Sequence, residues 1–216
     1  MILHTYWRSS SAYRVRIALG LKGVEYEPRF VHLVRAGGEQ NLPEFRSKSP
    51  LGQIPMLELQ LEQAGATVFL TQSLAIIEFL EERFPTPALL PRDLMARARV
   101  RELAQIINSG IQPFHNTGTT NFLQQAAPGL DKSGWYRHFV GRGLGSLEAR
   151  AQQLSGRFLV GDEVSIADVL LVPQLYFARR VDIALEAFPT LLRIEAECTK
   201  LDAFAVAHPD RQPDRE

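Results

Sequence analysis

Trp7-Arg8-Ser9-Ser10-Ser11-Ala12-Tyr13-Arg14-Val15-Arg16-Ile17 joins an extended, partly apolar run (Ile2, Leu3, Tyr6) to a helical pattern with apolar residues at Val15, Ile17, Ala18, Leu19 and Leu21. A strand thus delivers an arginine and three hydroxyls to a helix N-terminus. The first turn of a helix presents amide N–H groups without internal partners and a partial positive charge, so it favours an anion. Serine serves such a junction either by capping an amide with its oxygen or by giving its O–H to the anion. The plain reading of Ser9, Ser10 and Ser11 is that one of them is the N-cap. The junction lacks the glycines and the Lys-Ser or Lys-Thr of a phosphate loop, and the Gly-x-Ser-x-Gly of a nucleophilic serine. A bound thiolate is the better fit.

Outward from this stretch, the helix Ala12–Lys22 stops at Gly23 and Tyr26–Leu33 reads as a second strand. Residues 34–49, with Gly37, Gly38 and Pro43, read as a loop holding one short helix. Met56–Leu61 and Thr67–Leu70 form a hairpin across Gln63-Ala64-Gly65-Ala66. Thr71-Gln72-Ser73 opens a helix, Leu74–Phe84, with Ser73 as its N-cap and a second anion-favouring start. The first part is therefore β-α-β, irregular chain, hairpin and helix.

Pro85, Pro87 and Pro91 end that helix and favour an extended linker over 85–93. From 94 to 216 the periodicity is helical with no convincing strand: Val100, Leu103, Ile106 and Ile107, then Leu144, Leu147, Ala151 and Leu154. Ser165 and Asp168 have capping-box spacing ahead of a Leu- and Val-rich helix, Ile166–Arg180, which makes Asp168 a folding residue. Residues 108–121 are polar and interrupted, as in a surface loop. Residues 208–216 are proline-rich and charged, and are expected to form a loosely packed tail.

Composition excludes several classes. Twenty-four basic and twenty-four acidic residues among 216 leave no net field to recruit nucleic acid or an anionic membrane. One cysteine, Cys198, permits no internal disulfide and no cysteine-rich zinc site, and its helical neighbours Glu195, Ala196 and Leu201 assign it to packing. The first residues lack a signal-like segment and no window reaches membrane-span length, so the expectation is a cytoplasmic protein.

Ser9-Ser10-Ser11-Ala12-Tyr13-Arg14-Val15-Arg16-Ile17-Ala18 resembles the Ser-Ser-Cys-x-x-Arg-Val-Arg-Ile-Ala opening of the zeta class of glutathione transferases, with Ser11 at the family's cysteine. Further matches are Gln53-Ile54-Pro55, Gln72-Ser73-Leu74-Ala75-Ile76-Ile77-Glu78, Gly110-Ile111-Gln112-Pro113, Val172-Pro173-Gln174 and His208-Pro209-Asp210-Arg211-Gln212-Pro213-Asp214. The resemblance implies an α/β thioredoxin-like N-terminal domain over 1–84 and an all-α C-terminal domain over 94–216, in a homodimer.

It also implies glutathione as a cofactor. Ser9, Ser10, Ser11 and Arg14 become the catalytic group, with Ser9 the first choice as hydroxyl donor to the thiolate and Ser10 the next. Ile54 pairs its backbone with the cysteinyl unit ahead of a cis Pro55, and Gln72 and Ser73 hold the γ-glutamyl carboxylate. Gln40, Gln112, Asn116, Thr117 and Gly118 complete the glutathione contacts. Arg8 and Arg180 face the carboxylates of the substrate. The activity implied is glutathione-dependent cis–trans isomerisation of maleylacetoacetate to fumarylacetoacetate, in aromatic amino-acid catabolism. Alternatives are maleylpyruvate isomerisation, transfer of glutathione to small electrophiles, and a non-catalytic glutathione-binding module.

Overall fold

A computed structural model describes residues 1–61 and 65–216. In chain order its strands and α-helices are β1 (Ile2–Thr5), α1 (Ser10–Leu21), β2 (Glu27–Phe30), α2 (Pro43–Lys48), β3 (Met56–Leu61), β4 (Ala66–Thr71) and α3 (Ser73–Arg83), then α4 (Leu94–Asn108), α5 (Gln112–His115), α6 (Thr117–Ala126), α7 (Lys132–Leu154), α8 (Ile166–Arg180), α9 (Pro189–Cys198) and α10 (Asp202–Ala207). They form two compact units, Met1–Ala88 with Leu201–Glu216, and Leu89–Lys200.

The first unit is built on a four-stranded sheet of order β2-β1-β3-β4. β1 pairs parallel to β2 and antiparallel to β3, and β3 pairs antiparallel to β4. This is the α/β domain expected. Leu3, His4 and Thr5 of β1 are all buried, without alternation, as befits a strand covered on both faces. β2 is shorter than the Tyr26–Leu33 expected: Pro28 lacks a ladder N–H, and its four residues form an exposed edge. The hairpin matches its two expected runs within a residue or two, while Gln63 and Ala64 of its expected turn lie outside the described residues.

Helix α1 is buried almost all round, from Ala12 to Leu19, so it needs cover on every side. Part of that cover is the 201–216 segment, expected as the end of the helical domain with a loose tail over 208–216. It forms α10 and groups with the sheet unit. A Cβ at Gly20 would lie 3.1 Å from the Ala203 Cβ, so glycine lets α10 lie close against α1. Arg16, 2% exposed, donates through Nε to the Ala207 carbonyl at 3.2 Å. Tyr13 Oη donates to the Phe204 carbonyl at 3.4 Å. At the other end of α1, buried Lys22 bonds both the Glu81 carboxylate of α3 and the Pro87 carbonyl.

The second unit is helical, with no strand among the described residues. α8 runs from Ile166 to Arg180 as read from sequence, and the Ser165–Asp168 capping box is present. Asp168, fully buried, accepts N–H bonds from Leu159 (2.8 Å) and Ser165 (2.9 Å) and the Ser165 hydroxyl (2.8 Å). Burial pushes its carboxyl up to about 6 against the pull of those donors. Glu148 of α7 accepts from Thr190 and Leu191 N–H at 3.1 and 3.0 Å and so caps α9 from a neighbouring helix. Gly143 of α7 is required by packing, since a Cβ there would meet Ile111 Cγ1 at 2.3 Å. Residues 108–121, expected as a surface loop, instead contain all of α5 and the start of α6, anchored by the fully buried Ile111 and by His115 Nε2 against Gln174 Oε1 at 3.1 Å.

Candidate active site

The sheet register brings three of the predicted segments to one edge. His4 of β1 lies opposite Met56 of β3, and Met56 lies opposite Thr71 of β4. The chain leaving β1 toward Ser9, the Ile54-Pro55 pair entering β3, and Gln72-Ser73 following β4 therefore meet at the same end of the sheet. Two helix N-termini, those of α1 and α3, open there, which concentrates unpaired N–H groups and positive dipole ends.

Ser9 is the N-cap of α1, and its Oγ accepts from the Ala12 N–H at 3.2 Å. The capping and functional readings are compatible, because a hydroxyl that accepts from the backbone still has its proton to donate. Ser10 is buried in the first turn, and Ser11 is half-buried beside it. Arg14, one turn on, is fully buried, and its Nη1 donates to Ser73 Oγ at 3.2 Å. It underlies the two helix starts and ties them together. Burial pulls its guanidinium down to about 9, which leaves it a cation at neutral pH and strengthens the anion preference of both starts.

At α3 the structure corrects the cap. Gln72, with φ 72°, occupies the N-cap position, and Ser73 is the first helical residue. A glutamine held in the left-handed region costs free energy that glycine would not, and such costs gather at functional sites. Ser73 accepts from Arg14 through its oxygen, which leaves its hydroxyl proton to be donated. The Ile54–Pro55 bond is cis, and Ile54 lies two residues before β3, beyond the sheet ladder. Gln40 is buried; its Nε2 donates to the Leu33 carbonyl at 3.2 Å, while its Oε1 has no hydrogen-bond partner.

The glutathione S-transferase N-terminal domain model matches residues 1–82, and the C-terminal domain model matches residues 140–200. A probable maleylacetoacetate isomerase of Vibrio cholerae is 43% identical over 99% of this chain and 98% of its own length. The maleylacetoacetate isomerase of Mus musculus is 43% identical over 99% and 94%. A crystal structure of maleylacetoacetate isomerase from Anaeromyxobacter dehalogenans with glutathione bound in its active site is 48% identical, with a TM-score of 0.90 over 99% of this chain and 97% of that one. A maleylpyruvate isomerase structure, described as a bacterial zeta-class glutathione S-transferase, has a TM-score of 0.91 and 39% identity over the whole of both chains. The chain belongs to the zeta class of glutathione S-transferases.

One residue of this zeta-class chain, Arg16, supports the Ser9 turn without appearing among the sequence candidates. Arg16 gathers Thr5 Oγ1 (3.1 Å), the Tyr6 carbonyl (3.4 Å) and the Trp7 carbonyl (3.0 Å) beneath the turn before Ser9. The signal was available: Arg14 and Arg16 interrupt an apolar helical run, where a charge must find partners. Arg8 is half-buried, with its guanidinium 5.4 Å from the centroid of the Trp7 ring.

In the helical unit, Gln112 begins α5, and Asn116 caps α6 by accepting from the Gly118 N–H at 3.0 Å. Thr117 and Gly118 are exposed in the first turn of α6. Arg179 forms a double bridge to Glu195, whereas Arg180, at the end of α8, lies with its guanidinium 5.8 Å from the Tyr176 ring centroid. Cys198 is fully buried, and burial pushes its thiol up, as for a packing cysteine. Among the described residues no cluster of three or more His, Cys, Asp or Glu is arranged to hold a metal ion, and no helix is long and apolar enough to cross a membrane.

Proposed function

We propose that the protein is a glutathione-dependent cis–trans isomerase that converts maleylacetoacetate to fumarylacetoacetate. The observation that carries this reading is the meeting of the Ser9 cap, the Ile54–cis-Pro55 pair and the Gln72-Ser73 helix start at one sheet edge, joined by the Arg14–Ser73 bond. The full-length similarity to maleylacetoacetate isomerases supports it.

Glutathione extends along Ile54, with its γ-glutamyl carboxylate at the α3 start and its sulfur at the α1 start. A free thiol has a pKa near 8.5, so ionising most of it at neutral pH takes a shift of about two units, or about 2.7 kcal/mol. A helix N-terminus supplies about 0.3–1 kcal/mol, reaching ~2 when partly buried. A hydroxyl donating to the thiolate adds about 1.5–3 kcal/mol, and the two together suffice. Ser9 is the donor, with Ser10 and Ser11 in the same turn.

The thiolate adds to the cis double bond: a C–S bond forms, and the π pair moves through the conjugated carbonyl to its oxygen as an enolate. Rotation about the new single bond follows. The enolate pair then re-forms the double bond in the trans arrangement and expels the thiolate, so no atom is gained or lost. Arg8 and Arg180 bind the substrate carboxylates and stabilise the enolate. Gln40, Gln112, Asn116, Thr117 and Gly118 complete the glutathione contacts. The enzyme acts in the cytoplasm as a homodimer.

The similarity to a zeta-class maleylpyruvate isomerase favours a second reading, the same chemistry on that shorter acid. Turnover of maleylacetoacetate and maleylpyruvate, each with and without glutathione, separates the two. Glutathione-dependent turnover with higher kcat/KM for maleylacetoacetate is expected. A preference for maleylpyruvate would transfer the assignment, and failure on both acids with conjugation of small electrophiles intact would leave a general transferase.

A further inference from the structure

His208–Asp214 resembles the family pattern without acquiring a role, and Asp214 reaches the turn that presents Arg8 and Ser9. That turn is closed by the Ser9 N–H donating to the Tyr6 carbonyl at 3.0 Å, which makes Trp7 and Arg8 its central residues. Asp214 Oδ2 accepts the Trp7 N–H at 2.8 Å. The Trp7 carbonyl, on the other side of the same residue, accepts from Arg16 Nη2 at 3.0 Å, and Arg16 Nε holds the Ala207 carbonyl at the end of α10. A further anchor lies beyond Asp214. His32 Nδ1 accepts the Val34 and Arg35 N–H groups, so its ring proton sits on Nε2 and is given to Glu216 Oε1 at 3.0 Å.

Stability alone does not account for the contact at Trp7. Asp214 Oδ1 and Trp7 Nε1 are both buried with no hydrogen-bond partner. Leaving a carboxylate oxygen and an indole N–H in that state costs free energy that an apolar pair would not. What the carboxylate provides is a fixed acceptor for the N–H of the first central residue of the turn, 207 residues away in the chain.

We infer that Asp214 is a positioning residue of the glutathione site: by holding the Trp7 N–H it fixes the Tyr6–Ser9 turn and so aims the Ser9 hydroxyl at the thiolate. The inference rests on the proposed function, since it takes glutathione as the ligand of the α1 start. Asp214 touches neither substrate nor thiol and acts through the backbone of Trp7.

The test is the ionisation of bound glutathione, read from thiolate absorbance across pH, in wild type, Asp214→Ala and Asp214→Asn, with kcat and KM for the isomerisation measured alongside. Asp214→Ala removes the acceptor and is expected to lower the thiolate fraction at neutral pH about three- to tenfold, as the loss of one hydrogen bond does. Its kcat falls with it, while KM for glutathione changes less than twofold, because the γ-glutamyl end is held elsewhere. Asp214→Asn keeps a carbonyl oxygen for the Trp7 N–H and is expected to restore the thiolate fraction to within about twofold of wild type. Normal thiolate ionisation in Asp214→Ala, even with a lowered melting temperature, would overturn the inference and leave the proposed function intact. Asn behaving like Ala would also overturn it, since the charge and not the acceptor would then be at work. Absence of a bound thiolate in wild type would overturn both.

Discussion

The Ser9 oxygen accepts the Ala12 N–H, so removing the hydroxyl has two separable effects. Loss of the cap costs about 1 kcal/mol of stability. Loss of the donor to a thiolate costs about 1.5–3 kcal/mol, so Ser9→Ala should lower turnover roughly 10- to 100-fold. Melting temperature and kcat measure the two independently. A normal kcat with a lowered melting temperature would reduce Ser9 to a cap and pass the donor role to Ser10. Gln72 makes the opposite demonstration. At φ 72° it occupies backbone space that suits glycine, so Gln72→Gly should raise stability by up to about 1 kcal/mol while weakening glutathione binding through loss of the side chain. Denaturant midpoint and glutathione titration of the same variant test the pair of effects. A fall in stability would show that the side chain holds α3 in place, not a ligand.

At the scale of elements, periodicity and caps were readable wherever the causes are local. The start of α8 follows from Ser165 and Asp168, four residues of local sequence, and the hairpin follows from two short apolar runs. What escaped depends on distant partners. Ser73 looked like the cap of α3 because serine prefers that position, but its hydroxyl oxygen serves Arg14 of another helix. Residues 108–121 looked like a loop because Gly110 and Pro113 break the period, whereas buried Ile111 and His115 secure two short helices there. The glycines of α7 invite a direct test. Gly143→Ala should cost about 1–3 kcal/mol by driving a methyl into Ile111, whereas Gly141→Ala, with open space around it, should gain about 0.5–1 kcal/mol from helix propensity. Equal effects on the denaturant midpoint would remove the packing explanation. The Asp168 cap adds a pH signature. Its folded carboxyl titrates at about 6, above its ordinary 3.8, so the folded state holds the proton more tightly and stability falls as pH rises between those values. Subtracting the Asp168→Asn profile from wild type should reveal a decline of ~2–3 kcal/mol across that window. A rise there would mean that the three donors dominate burial.

For the whole molecule, the two-part organisation followed from three prolines in the 85–91 stretch and a change of period after them, because chain stiffness and periodicity are properties of the sequence itself. The return of residues 201–216 to the sheet unit was not legible. The proline-rich, charged composition of 208–216 reads as tail, and the order of the stretch comes from Arg16, Trp7 and His32, far away in sequence. The same holds for the site: the serines and Ile54-Pro55 were visible as motifs, but the pairing of Arg16 and Asp214 on Trp7 joins two motifs far apart in sequence, which neither motif shows alone. In the proposed reaction glutathione enters as a thiolate and leaves unchanged. Glutathione supplied far below the concentration of maleylacetoacetate tests it most directly, with trans product and free thiol followed together. The account predicts many equivalents of fumarylacetoacetate per glutathione with the thiol fully recovered. Product that stops at one equivalent with loss of the thiol, or forms at the same rate without glutathione, would contradict it.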